Sequence, residues 1–85
     1  MIHKIKLERK FCDDVFAGRK TFEVRINDRN YTVFDVINFV PVENGKPIAH
    51  DVENEYYLIR YILTGYGLQD GYVCMAIEKI NMPYY

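Results

Sequence analysis

The hydrophobic pattern of this chain changes period at Gly18, and that change constrains the fold more than any other feature. Across residues 8–17 the apolar side chains recur four apart, as Phe11 and Val15 do, which predicts a helix. From residue 21 to residue 27 they recur every second residue, which predicts a strand. Gly18 stands where a helix ends with a residue in the left-handed conformation. The pattern therefore predicts one early helix that leads directly into a strand.

The other strands are predicted from runs rich in aromatic and β-branched residues. They cover residues 2–7, 35–42, 55–63 and 72–80, with a short extra strand expected near 48–52. The Asn44-Gly45 pair predicts a tight hairpin turn after the third strand. This order indicates an α+β fold, a small mixed β pseudo-barrel of five to six strands with one early helix packed against it. We expect a single domain over residues 1–85.

Composition excludes several classes of protein. No apolar run approaches the ~20 residues that span a bilayer, and the N-terminus lacks the apolar segment of a signal peptide. We therefore expect a cytoplasmic protein with no membrane partner. Cys12 and Cys74 are too few for a disulfide framework or a zinc site, and His3 and His50 have no ligand-like spacing. We expect reduced thiols that are buried or half-buried, no metal and no cofactor.

Positive charge is concentrated in the first third of the chain. Residues 1–30 carry eight cations and five anions, net +3, whereas residues 31–85 carry three cations and seven anions, net −4. A nucleic-acid surface would therefore draw on the first third, although a chance scatter of solvated charges would give the same counts. Because the whole chain has a net charge of −1, it can neutralise few phosphates. We expect recognition of a short or structured RNA, or of a single nucleotide.

The strand after the helix alternates charged and apolar residues. Glu23 and Arg25 share one face and form either a surface ion pair worth about 0–1 kcal/mol or one side of a cleft. In a cleft, Glu23 would hold the planar guanidinium of Arg25 ready for a phosphate or a base edge, and Lys20 would add a charge at the same mouth. The opposite face is expected to be buried with the apolar stripe of the helix. The predicted core residues are Phe11, Val15, Phe22, Val24 and Ile26.

Four of these residues also match the G-x-K-x-x-E-x-R signature of ASCH domains: Gly18, Lys20, Glu23 and Arg25. The chain resembles this family of the PUA-like superfamily, and within it the small phage- and prophage-associated proteins of unknown function. The Asn27-Asp28-Arg29 turn and the closing GYGLQDGYVCMAI extend the resemblance over nearly the whole chain. It implies a PUA-like pseudo-barrel with a cleft for RNA or a modified nucleoside between the first helix and the sheet. Phe34 departs from the pattern, since relatives commonly have a glycine before the aspartate.

The leading hypothesis is a non-catalytic, monomeric module that binds RNA or a nucleotide in this cleft. Two tyrosines in or beside loops are expected to stack on an unpaired base. One of them, Tyr66, has glycine on both sides, so a mobile loop is expected to carry it. The candidate ligand-binding residues are Lys20, Glu23, Arg25, Arg29, Tyr31 and Tyr66.

Two other functions remain open. Some ASCH proteins look like small amidohydrolases that act on acylated cytidine with a lysine, a threonine and a glutamate. Lys20 matches the lysine, but Glu23 occupies the threonine position, which argues against the same chemistry. If the protein is an enzyme, Lys20 and Glu23 are the catalytic candidates. The other alternative is a phage-type protein–protein interaction module, which exposed tyrosines and an acidic second half would suit.

Overall fold

Six strands form one mixed sheet in the computed structural model, which describes residues 1–81. The predicted α+β fold with one early helix is confirmed, and the helix and the five long strands begin and end within one residue of the expected positions. The elements are β1 (Ile2–Glu8), α1 (Arg9–Phe16), β2 (Phe22–Ile26), β3 (Val36–Glu43), β4 (Lys46–Pro47), β5 (Tyr56–Leu63) and β6 (Tyr72–Ile80).

The segment after β3 is a hairpin followed by a turn of 3₁₀ helix. The prediction of a short strand near 48–52 is therefore wrong in position. Asn44 and Gly45 both have positive φ, 52° and 78°, as a two-residue hairpin turn requires. β4 therefore begins at once after the turn and pairs with the end of β3. Strand pairing covers only Lys46 and Pro47, and one further hydrogen bond joins the Ile48 N–H to the Pro41 carbonyl at 3.0 Å. The chain then forms the 3₁₀ helix Asp51–Asn54, where the expected strand would have continued.

The strand order is β1-β3-β5-β6-β2. The short β4 pairs with the C-terminal end of β3, beyond the residues of β3 that pair with β5. β1 and β3 are parallel, and the remaining pairs are antiparallel. β1 and β2 are neighbours in sequence but lie at opposite ends of this order. The sheet curls so far that these two edge strands approach each other. Nη1 of Arg25 on β2 lies 2.7 Å from the carbonyl oxygen of Lys6 on β1. We call the gap between them the seam; it is where the pseudo-barrel stays open.

Apolar side chains from β1, α1, β3, β5 and β6 fill the interior. Ile5 and Leu7 point inward from β1, and the stripe of α1 buries Cys12 and Val15. Cys12 is a buried free thiol and Cys74 a half-buried one, as predicted. The fully buried side chains at the centre of the core are Phe39, Ile37, Ile59, Met75, Val52 and Val73.

The predicted face of β2 is wrong. Phe22, Val24 and Ile26 are 46%, 47% and 53% exposed, whereas Glu23 is only 4% exposed. Of the helix residues predicted with them, Val15 is buried and Phe11 half-buried. An alternating strand specifies two faces but not which one points inward. Here the polar face turns inward because two cations pair with the buried carboxylate, as described below.

The turn before β3 contains Phe34 in a backbone conformation typical of glycine. This residue has a φ of 77°, a conformation that a glycine adopts freely and other residues adopt at a cost of about 1–2 kcal/mol. Asp35, the next residue, secures the turn because its carboxylate accepts the Thr32 N–H at 3.1 Å. The same carboxylate accepts a hydrogen bond from Nε2 of the buried His3 at 2.8 Å and lies 3.3 Å from the N-terminal amine.

Two phenylalanine substitutions should separate the core from the outer side of β2. Phe39→Ala empties a fully buried site and should lower the free energy of unfolding by about 3–5 kcal/mol. Phe22→Ala removes a half-exposed ring, so it should lower that free energy by about 1 kcal/mol or less. Urea unfolding of both variants measures the difference. Equal losses would contradict the outward orientation of Phe22.

Acid unfolding should report on Asp35. Burial raises the pKa of this carboxyl, but the hydrogen bonds from His3, the Thr32 N–H and the N-terminal amine together outweigh burial and hold the pKa below 3.8. A depressed folded-state pKa adds stability above the unfolded-state pKa, and that stability is lost as the pH falls through the folded-state value. Asp35→Asn should therefore lower stability at pH 7 and reduce the further loss below about pH 4. Asp70→Asn, at an exposed loop position, is the control and should change neither.

Candidate functional site

An open groove of about 1190 Å³ lies over the seam, between α1, β1, β2 and the hairpin turn after β3. Six of its lining residues are cations and four are anions, so the groove has a net charge of +2. All six cations come from the first third of the chain, where the sequence places its excess of positive charge. The cations are Lys6, Arg9, Lys10, Arg19, Lys20 and Arg25; the anions are Glu8, Asp14, Glu23 and Glu43.

The side chain of Glu23 is buried at the floor of this groove and pairs with two cations. Its Oε1 accepts from Nζ of Lys20 at 2.7 Å, and its Oε2 accepts from Nη1 of Arg25 at 3.1 Å. The carboxylate side chain is 6% exposed, against 15% for Lys20 and 27% for Arg25. The alternative of a solvated surface pair is therefore wrong for Glu23. Bridging two cations offsets the desolvation that a buried carboxylate suffers.

Each of the two cations also binds a backbone carbonyl at the seam. Lys20 donates to the carbonyl of Phe22 at 2.8 Å, and Arg25 donates to the carbonyl of Lys6 at 2.7 Å. The Thr21 carbonyl accepts the N–H of Ile77 on β6, and the Asn27 N–H donates to the carbonyl of Gly71, just before β6. Because the hydrogen-bonding groups of an antiparallel strand alternate in direction, the Phe22 carbonyl points away from β6. We call Lys20, Glu23 and Arg25 the clasp, because together they join the two edge strands.

The end of α1 explains how Lys20 reaches the clasp. Gly18 has a φ of 80°, its N–H donates to the Val15 carbonyl at 3.1 Å, and the Arg19 N–H donates to the Asp14 carbonyl at 2.9 Å. This pair of bonds is the Schellman arrangement, which reverses the chain sharply after a helix. The predicted helix stop is confirmed. Two residues later Lys20 points back across the start of β2 to Glu23.

Two phenylalanine rings lie beside the clasp. Nζ of Lys20 is 5.0 Å from the ring centroid of Phe11 and 4.8 Å from that of Phe22, within the range of cation–π attraction. Both rings line the groove. The groove therefore combines fixed cations with aromatic surface.

The rim of the groove carries exposed ion pairs. Arg19 donates to Asp14 at 2.8 Å and Arg9 donates to Glu43 at 3.4 Å. Exposed pairs of this kind contribute about 0–1 kcal/mol each. An anionic ligand can therefore compete for these arginines at little cost.

The structure brings together three of the six residues that the sequence nominates. Lys20, Glu23 and Arg25 converge on the groove, whereas Arg29 is exposed in the turn after β2 and does not line it. Tyr66 is 93% exposed in the loop between β5 and β6, with a φ of 53°, and does not line the groove either. Whether any of these residues binds a ligand stays a prediction.

Tyr31 is buried, so the expectation that its ring could stack on a base is wrong. The side-chain oxygen of Asn27 accepts the Tyr31 N–H at 2.9 Å and folds the loop inward. The ring then packs edge-on against His3, with centroids 4.8 Å apart. Burial, the largest effect, raises the pKa of the Tyr31 hydroxyl above its usual value, against the lowering effect of Arg25.

Sequence reasoning missed the ring of Phe11 and four groove cations. Phe11 was assigned to the core, but it is half-buried because one side of it forms the groove wall. One lies on β1, two begin α1 and one follows it, and only their summed charge gives a signal in the sequence. They are Lys6, Arg9, Lys10 and Arg19.

Among residues 1–81, no group of three or more His, Cys, Asp or Glu side chains is placed to hold a metal ion. None of the helices formed by these residues has the length and apolar character needed to cross a bilayer.

Comparison with known families matches residues 2–77 to a domain of unknown function (DUF3850). The chain belongs to this family. The matched range contains the clasp and every groove residue, so the groove is part of the DUF3850 domain. The family description names no activity.

A solved structure adds only the fold. The crystal structure of hypothetical protein PH0355 resembles this DUF3850 chain with a TM-score of 0.61 and 16% sequence identity, over 94% of this chain and 100% of that one. At that identity the likeness shows a shared fold and nothing of function. No curated protein matches the chain.

Replacing Glu23 should cost more than replacing an exposed partner of an arginine. Glu23→Gln leaves Lys20 and Arg25 without their shared counter-charge and should lower the free energy of unfolding by about 2–3 kcal/mol. Glu78→Gln, which breaks the exposed pair with Arg60, is the matched control and should cost no more than about 1 kcal/mol. Chemical denaturation compares the two. Equal small losses would mean that the clasp does not stabilise the seam.

Proposed function

We propose that this DUF3850 domain is an ASCH-like, PUA-like module that binds a short RNA or a nucleotide in the groove over the seam. One observation carries the proposal: the buried carboxylate of Glu23 holds two cations in place at the floor of an open, net positive groove. A guanidinium that is already fixed loses little rotamer entropy when it binds an anion. This preorganisation is what a binding site needs and what a simple surface pair lacks.

Arg25 is suited to bind a phosphate or a base edge. In the described structure its Nη1 makes both side-chain hydrogen bonds, to Glu23 and to the Lys6 carbonyl, so Nη2 and Nε remain for a ligand. Two parallel N–H donors on a planar group match the geometry of a phosphate or of a base edge. Glu23 would orient these donors without touching the ligand.

The rings of Phe11 and Phe22 supply the second element of nucleotide recognition. Stacking of a base on an aromatic ring is worth roughly 1–3 kcal/mol and tolerates any sequence. Phe22 is 46% exposed and lines the groove beside Lys20, so its ring is accessible. A single nucleotide can therefore place its phosphate on the cations and its base on this ring.

Charge limits the length of RNA that the groove would bind. Its net charge is +2 and the chain's is −1, so few phosphates are neutralised and long-range attraction is weak. The proposal is therefore for one to a few unpaired nucleotides rather than for a track along a long strand. Tyr66, outside the groove, would contact only a ligand that extends beyond it.

The test uses two exposed arginines that each pair with one carboxylate. Arg19 lines the groove and Arg60 does not. In NMR titrations with short single-stranded RNAs and with single nucleosides and nucleotides, including acylated cytidine, Arg19→Ala should weaken binding about 3- to 10-fold, the scale of one charged contact. Arg60→Ala should leave binding unchanged. Shifted resonances should belong to β1, β2 and α1.

Two results would contradict the proposal: no binding by any of these ligands at millimolar concentration, or equal effects of the two arginine substitutions. Arg25→Ala is a poorer test than the sequence suggests, because Arg25 also binds the β1 backbone and its loss destabilises the seam. Arg19 avoids this ambiguity, since its exposed pair contributes little to folding.

Catalysis is less well supported by the geometry. The amidohydrolase alternative needs a lysine, a threonine and a glutamate, but none of the described groove-lining residues is a threonine. Lys20 is committed to Glu23 and to a backbone carbonyl. Incubation with an acylated cytidine, followed by chromatography, would detect deacylation. A phage association and a protein partner of the phage type remain predictions from the resemblance.

A further inference from the structure

Part of the outer side of β2, β6 and β5 is an uncharged surface outside the groove floor, bounded by the exposed ion pair between Glu78 of β6 and Arg60 of β5. The strand registers place its residues in rows: Phe22 opposite Ala76 and Ala76 opposite Tyr61, then Val24 opposite Cys74 and Cys74 opposite Leu63. Directly opposed residues of an antiparallel pair share one face of the sheet. Ile26 opposite Tyr72 forms the third row. We call these eight residues the outer face; none of them carries a charge at neutral pH.

The outer face is large for a protein of this size. Tyr61 is 63% exposed, and the three apolar residues of β2 are each about half exposed. Because one aromatic side chain has about 150–250 Å² of surface, the exposed part of the outer face amounts to roughly 500 Å². This is near the top of the range for the largest apolar patch on a monomer, and such patches are often functional.

We propose that the outer face is the contact surface for a second copy of this chain. Two copies would together bury on the order of 1,000 Å², the lower bound for a specific interface. The face has no charge of its own, so a second copy covers it without desolvating an ion, whereas a charged partner would find nothing to pair with. A two-fold axis sets each surface against itself, which suits a face whose rows are all uncharged. Sheets stacked in this way pack about 10 Å apart.

The self-association needs no ligand, but a second copy would compete with a stacked base for the ring of Phe22. Phe22 and Val24 lie at the boundary between the outer face and the groove, so they are unsuitable for a test. Ile26 and Leu63 belong to the outer face but do not line the groove. Substituting them therefore separates self-association from ligand binding. The dimer replaces the monomer expected from the sequence, which had assigned the β2 side chains to the core.

Sedimentation equilibrium of the full chain, over protein concentrations up to about 500 µM, tests the proposal. The wild type should form a dimer that dissociates on dilution, as expected for an interface near the lower size limit. Ile26→Lys and Leu63→Lys should each raise the dissociation constant at least tenfold. Ile2→Lys is the matched control, an exposed isoleucine on β1 outside the outer face, and should leave it unchanged. Thermal unfolding checks that each variant is folded.

The native cysteines give a second measurement that needs no variant. Cys74 is half-buried in the middle row of the outer face, and Cys12 is fully buried in the core. In the wild type, the rate constant for Cys74 alkylation should fall severalfold as the protein concentration rises through the dissociation constant, while Cys12 stays unreactive. A monomer at all concentrations with a constant Cys74 rate, or a dimer that neither lysine variant weakens, would overturn the proposal. If the lysine variants do not fold, the Cys74 rate alone decides.

Discussion

The buried carboxylate of Glu23 is the interaction on which the rest of this structure depends. An isolated carboxylate in this position would be strongly unfavourable, and the protein keeps it only because Lys20 and Arg25 reach it from two directions. Those two cations in turn bind one carbonyl on each edge strand. One buried charge thus determines how β2 is oriented, how the pseudo-barrel closes and where its groove lies.

The proposed binding would couple stability and ligand affinity in the same three side chains. A cation that holds the seam cannot move freely, and this immobility is also what prepares it to bind an anion. The rim arginines have the opposite character, because they are exposed, weakly paired and available to a ligand at little cost to folding. Under the proposed function, substitutions in the clasp change folding and binding together, whereas substitutions at the rim change binding alone.

The sequence predicted the elements well because local periodicity and turn chemistry decide them. Gly18 and the Asn44-Gly45 pair require positive φ, and both have it. The prediction of which face of β2 points inward was wrong. An alternating strand has two equivalent faces, and hydrophobicity alone favours burial of the apolar one. What the sequence does not show is the long-range contact of Arg25 with the Lys6 carbonyl on β1, which turns the polar side of β2 towards the seam. The prediction that Tyr31 is accessible was also wrong, because the Asn27 side chain accepts the Tyr31 N–H and draws this loop into the core.

The orientation of Glu23 also explains the outer face. Side chains on a strand alternate strictly, so once Glu23 and Arg25 turn towards the seam, Phe22, Val24 and Ile26 must turn outward. The register with β6 and β5 then extends this apolar strip over three strands. An apolar face of this kind is a geometric consequence of the clasp, and left bare on an edge strand it invites association. The proposed second copy would cover this face and leave the groove floor, on the other side of β2, open to a ligand.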